Sequence, residues 1–244
     1  MMRQLSSTLL FVLAMIGPAS AQSSAESMVT KVERAIVTQT NDFRKENDAS
    51  PVSENAELSE AASKFAKFMA DTDRYGHHAD GRTPAERAKA SGYKYCVVRE
   101  NIAYRTNTGE VTAKSLIDVF VEGWIDSPPH RENMLADYVT ETGVGVATSD
   151  DVTFYAVQLF GRPKASAIKL KIANESGDSR TLIVTSNDSE DEVELPSRAI
   201  VTLKRCFPTT ISLAESDSGI RLTESTQLRI TANELSRSQQ KEPQ

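Results

Sequence analysis

The apolar periodicity of this chain changes character once, near Pro163, and that change dictates two differently built parts. Before it, apolar residues recur three and four apart. Val29, Val32, Ile36 and Phe43 form one such stripe, and Leu58, Ala61, Ala62, Phe65, Phe68 and Met69 form a more regular one. This spacing puts them on a single face of an α-helix, which must be covered by a core. After Pro163 the period falls to two: Ile168, Leu170 and Ile172 alternate with Lys169 and Lys171. Short apolar runs follow at 182–185, 193–195, 200–203, 210–213, 220–222 and 228–230, separated by Ser, Asp, Gly, Asn and Pro. Regularly spaced short strands of this kind predict a small β-sandwich.

Within the first part, Thr83-Pro84-Ala85-Glu86 predicts a helix start, with a capping threonine, proline at the first helical position and glutamate at the third, and Gly92 predicts its stop. Asn107 and Glu110 are expected to open a further helix, with Leu116, Val119, Phe120, Gly123 and Trp124 on one face. Residues 143–148 and 152–160 read as two strands joined at Ser149-Asp150-Asp151. Helices around a small sheet give an α/β sandwich. The expected organisation is an export signal over 1–21, a linker over 22–28, a mixed α/β domain over 29–163, a β-rich domain over 164–232 and a polar, disordered tail over 233–244.

The export signal rests on Arg3, the apolar stretch 9–16 and the small residues Ala19-Ser20-Ala21. That stretch is too short to span a bilayer, and no later window approaches the roughly 20 apolar residues needed. The sequence therefore predicts a secreted or periplasmic protein with no integral membrane segment once the signal is removed. Loss of 1–21 removes one positive charge, so the net charge goes from −6 to −7. A nucleic-acid partner is excluded on that ground, because phosphate binding needs a basic surface. Cys96 and Cys206 are too few for a disulfide scaffold or a cysteine zinc site, and leave open a single bridge or two free thiols.

Only three histidines occur, in two turn-rich segments: His77 and His78 in Tyr-Gly-His-His-Ala-Asp-Gly-Arg-Thr-Pro, and His130 in Trp-Ile-Asp-Ser-Pro-Pro-His-Arg-Glu-Asn. Imidazole alone titrates near neutrality unperturbed, so convergence of the two segments would build a proton-exchanging or metal-accepting site. With Ser127 as cap and Pro128 at the first helical position, His130 falls at the third, where the helix dipole favours neutral imidazole. Glu100 lies within a polar triplet, Arg99-Glu100-Asn101, inside an apolar stretch. It either pairs with Arg99 on a solvent-facing edge or is buried against a histidine. Two histidines and one carboxylate could hold a divalent cation such as zinc, although the His-x-x-x-His spacing of zinc proteases is absent. Serine chemistry at Ser127 is weaker still, since no Gly-x-Ser-x-Gly turn appears.

Together these segments resemble the CAP superfamily, also called SCP or PR-1-like, in its compact bacterial form. The motifs are Asn55-Ala56-Glu57-Leu58, His77 with Asp80-Gly81-Arg82-Thr83-Pro84, Glu100-Asn101-Ile102-Ala103, Trp124 with Ser127-Pro128-Pro129-His130-Arg131-Glu132-Asn133, Thr140-Glu141-Thr142-Gly143-Val144-Gly145 and Gln158-Leu159-Phe160-Gly161. The resemblance implies a three-layer α-β-α sandwich, followed here by the small all-β domain, with a cleft of two histidines and acidic residues that binds a divalent cation in some members. His77 matches the first histidine, with His78 the alternate; Glu100 and His130 match the glutamate and the second histidine. Ser127 stands where larger members carry a further glutamate, leaving Asp126 or Glu122 to supplement the site, and Asn133 completes the cleft residues. The implied role is an exported, non-catalytic binding module for a lipid, a glycan or an envelope or host protein. The alternative is a metal-assisted hydrolase using His77, Glu100 and His130. A third reading makes the β-rich domain the recognising part.

Overall fold

A computed structural model describes residues 27–106, 109–187, 189–232 and 234–238. The expected export signal over 1–21 lies outside the described residues, as does Asn107.

The first part alternates helices and strands: α1 (Met28–Glu46), β1 (Ser53–Glu54), α2 (Ala56–Thr72), α3 (Pro84–Ala90), β2 (Tyr95–Thr106), α4 (Ala113–Asp126), α5 (Pro128–Leu135), β3 (Glu141–Thr148) and β4 (Thr153–Pro163). The strands form one sheet in the order β1-β3-β4-β2. One face carries α1, α4 and α5 over a core that includes Ile36, Phe120, Trp124, Met134 and Phe154. The other carries α2 and α3 over Leu58, Phe65, Met69, Ile102 and Leu159. This is the α-β-α sandwich, built because each helix buries one stripe and the sheet between them is apolar on both faces.

Two glycines decide how closely α2 approaches. A Cβ at Gly143 would lie 2.2 Å from the Ser59 backbone nitrogen, and one at Gly145 would lie 2.2 Å from that of Ser63. Helix backbone thus rests directly on β3, and the small residues Ala61, Ala62 and Ala66 are buried beneath it.

The second part comprises β5 (Ile168–Asn174), β6 (Arg180–Ser186), β7 (Ser189–Leu195), β8 (Ile200–Arg205), β9 (Thr209–Leu213), β10 (Gly219–Leu222), β11 (Thr226–Ile230) and β12 (Leu235–Arg237). Two four-stranded sheets, β10-β9-β6-β7 and β12-β11-β5-β8, enclose a core of Ile, Leu and Val. The tail expected from 233 instead contributes a strand: β12 pairs antiparallel with β11, setting Leu235 opposite Ile230. The helix expected from Asn107 and Glu110 opens later, at Ala113, where Thr112 and Ser115 cap one another reciprocally.

Cys96 and Cys206 form a disulfide between the two parts. Tyr138 and Phe207 meet edge to face across the same junction, and Arg221 pairs with Asp137 at 3.0 Å. No helix of the described residues is long and apolar enough to cross a membrane.

Gly145→Ala is expected to lower the unfolding free energy by about 3 kcal/mol, since the clash is with helix backbone. Gly123→Ala, inside α4 with no atom near the added methyl, is expected to raise it by about 0.5–1 kcal/mol. Urea unfolding of both variants checks the pair of signs.

Candidate functional site

Strand β2 ends its sheet, so its outer carbonyls need partners from elsewhere. Side chains supply them. Asn133 Nδ2 donates to the Glu100 carbonyl at 3.1 Å, and the Trp124 indole and the Tyr75 hydroxyl donate to the Ile102 carbonyl at 3.2 and 3.1 Å. The open edge of the sheet is therefore where the two helical layers meet, and both histidine segments arrive there.

Alternation along β2 sends neighbouring side chains to opposite layers. Glu100 faces α3, where its carboxylate is almost wholly buried between two donors: Arg87 Nη2 at 2.7 Å and His77 Nδ1 at 2.8 Å. Asn101, fully buried, faces α5. Its Nδ2 donates to the His130 carbonyl at 3.1 Å, and its Oδ1 accepts from Asn133 at 2.9 Å. Arg99 Nη1 donates to Asn133 Oδ1 at 2.7 Å and pairs with Glu132 at 3.0 Å. The polar triplet in the apolar stretch is thus the seam of the site. Glu100 is buried against a histidine, while Arg99 serves α5 instead of Glu100.

Arg87 organises the first histidine loop. Nη1 donates to Asp80 at 2.8 Å and to the Arg82 carbonyl at 2.9 Å, and Nη2 also reaches the His77 carbonyl at 3.0 Å. The guanidinium lies 3.5 Å from the centroid of Phe65, a cation-π contact beneath the loop. A carboxylate paired with arginine accepts hydrogen bonds and donates none, so His77 Nδ1 is the donor to Glu100. The side chain of His77 is 44% exposed, so the outer part of the ring reaches solvent while Glu100 behind it does not.

His130 sits at the third position of α5, as its spacing predicts, yet Ser127 makes no side-chain capping bond and instead ends α4. Its pKa is held below the ordinary histidine value chiefly by burial and further by the charge of His77. Desolvation, and after it the second imidazole, are the causes of that lowering. The electrostatic link places the two histidines in one neighbourhood. His78 is exposed and does not replace His77 at Glu100. Asp126 and Glu122 are exposed and, among the described residues, bond to none of His77, Glu100 or His130; Ser127 likewise supplies no contact to them.

These residues do not fit the divalent cation. A metal at Glu100 would share its carboxylate with a guanidinium 2.7 Å away, whose positive charge opposes it. Among the described residues no three His, Cys, Asp or Glu side chains are grouped to hold a metal. Of the expected His77, Glu100 and His130 set, Glu100 is hydrogen-bonded to both His77 and Arg87, and the His130 backbone carbonyl is held by Asn101. Arg87 is the residue that sequence reasoning missed; its only signal was its place immediately after the capping box.

The family model of the cysteine-rich secretory protein family, CAP, matches residues 37–160. The uncharacterized protein YkwD of Bacillus subtilis (strain 168) is 29% identical over 141 residues, which is 55% of this chain and 52% of that protein. The chain therefore spans about half the length of the curated relative it matches. An outer surface protein from Borrelia burgdorferi is 21% identical with a TM-score of 0.47, covering 54% of this chain and 92% of its own. An extracellular protein containing an SCP domain, from Bacillus anthracis str. Ames, is 24% identical with a TM-score of 0.45, covering 55% and 41%.

By nuclear magnetic resonance, His130 is expected to titrate below its unfolded value of about 6.5. Because the unfolded chain then binds more protons in that window, this group's contribution to stability is complete above the unfolded value and is lost as pH falls below it. His77→Gln is expected to move the His130 midpoint part of the way back up, leaving the larger depression from burial. A midpoint at or above the unfolded value would contradict the assigned environment.

Proposed function

We propose that this chain, which belongs to the cysteine-rich secretory protein (CAP) family, is a non-catalytic binding protein of the cell exterior. Its ligand enters at the free edge of β2. The observation that carries this reading is the commitment of both Glu100 oxygens, one to His77 and one to Arg87. A carboxylate neutralised by arginine in a buried pair is a poor general base and a poor ligand for a cation, so the hydrolase alternative loses its central residue. What remains at the rim is a recognition surface: the half-exposed ring of His77, the ring of His130, and two exposed tyrosines. Tyr75 and Tyr104 are 47% and 53% exposed and pack edge to face at 4.8 Å.

Among a lipid, a glycan and an envelope or host protein, this rim favours the glycan. Aromatic faces with polar hydroxyls and nearby imidazoles suit a ligand that is polar at its edges and apolar on its ring faces. A disulfide between the two domains suits an oxidising compartment, and export through the segment over 1–21 agrees with that.

Titration of the mature chain with solubilised cell-wall glycan fragments tests the reading. Tyr104→Ala is expected to weaken binding about fivefold, roughly 1 kcal/mol, without altering the unfolding midpoint. Added zinc is expected to leave the melting temperature unchanged, because a site that binds no metal gains nothing from it. Zinc-dependent stabilisation that disappears in His130→Ala would overturn the proposal.

A further inference from the structure

The outer face of the sheet β12-β11-β5-β8 carries cations without carboxylates at its paired positions. Register fixes the layout: Lys169 lies directly opposite Lys204, Lys171 lies between Thr202 and Gln227, and Ala173 lies between Ile200 and Arg229. Lys169, Lys171, Lys204 and Arg229 are all exposed. Among the described residues, the acids at this face sit at its margins: Glu175, 3.9 Å from Arg229, and Glu224, on the rim of a recess of about 550 Å³ lined also by Lys169, Lys171 and Arg237. Like charges directly opposite one another across a ladder are destabilising, so Lys169 and Lys204 cost stability in the isolated protein. An anion over the face would relieve that cost.

From this face we infer that the β-sandwich docks the protein on the surface of an anionic lipid bilayer. Two further features select a bilayer over a soluble polyanion. Ile200, 60% exposed on the same face, offers an apolar side chain to the headgroup boundary, which a soluble phosphate polymer lacks. On the opposite sheet the outward positions of β7 are Glu190, Glu192 and Glu194, set across from Thr185, Ile183 and Thr181. The sandwich is thus basic on one side and acidic on the other, and a negatively charged surface would attract the first and repel the second. In a chain of net negative charge this polarity favours contact through the basic face. The contact is electrostatic and reversible, unlike membrane insertion, and falls off with the Debye length.

The full mature chain should co-sediment at low salt with vesicles of phosphatidylglycerol and phosphatidylcholine in equal parts, and be released by high salt. Vesicles of phosphatidylcholine alone should not retain it. Each lysine near an anionic surface contributes about a fivefold increase in partitioning. K169Q/K204Q should therefore partition about 25-fold less, with a melting temperature equal to or above that of the parent. Failure to bind the anionic vesicles, undiminished binding by K169Q/K204Q, or retention on immobilised polyphosphate without retention on vesicles would each overturn the inference. A lowered melting temperature in the variant would contradict the repulsion argued for the lysine pair.

Discussion

The ion pair between Arg87 and Glu100 is the constraint from which the histidine site follows. Both side chains are nearly excluded from solvent, at 5% and 1% exposure. Charges taken out of water are costly unless paired and hydrogen-bonded, so neither residue is tolerable there without the other. Arg87 also gathers the loop that carries His77, because its two terminal nitrogens reach Asp80, two loop carbonyls and Glu100 at once. Its Nε is buried with no acceptor among the described residues, a cost offset in part by the ring of Phe65 against the guanidinium face. The pair builds the site and also withholds the carboxylate from other chemistry.

The second half of the site hangs on the edge of β2. Asn101 and Asn133 stitch α5 to that edge, and Arg44 secures the far end of α5 by donating to the Met134 and Ala136 carbonyls. A continuous path of contacts then leads into the β-rich C-terminal region: Asn133 to Arg99, Arg99 over the Tyr138 ring, and Tyr138 against Phe207. The disulfide enters β2 at Cys96, four residues before Glu100. The two parts of the chain are therefore tied together at the strand that carries Glu100.

Much of this was legible from residue patterns. The Leu58 to Met69 stripe is buried as its period demands, the alternation of Ile168, Leu170 and Ile172 points into the sandwich core, and His77, Glu100 and His130 come from the segments singled out. The motif resemblance reached the fold correctly. Other features were hidden for physical reasons. β2 was not recognised as a twelve-residue strand because Arg99-Glu100-Asn101 interrupts its apolar alternation, and an edge strand tolerates that interruption only when helices bring partners. Arg87 follows a capping box on a short helix, where an arginine ordinarily faces water; nothing local announces a distant buried glutamate. The cation set followed from residue types alone, which cannot reveal that an arginine already occupies the carboxylate. The strand at Leu235–Arg237 lies in a polar stretch and is held by pairing with β11 rather than by its own pattern.

The most direct measurement is a double-mutant cycle on the Arg87–Glu100 pair, with Arg87→Met, Glu100→Gln and both together, read by urea unfolding. Each single change leaves its partner buried and uncompensated and should cost about 3–5 kcal/mol, while the double variant should lose markedly less than the sum. A coupling of about 2 kcal/mol or more is the expected result. Additive losses, with coupling below about 0.5 kcal/mol, would mean that the carboxylate is not held by the guanidinium, and the account of the histidine site would fail with it.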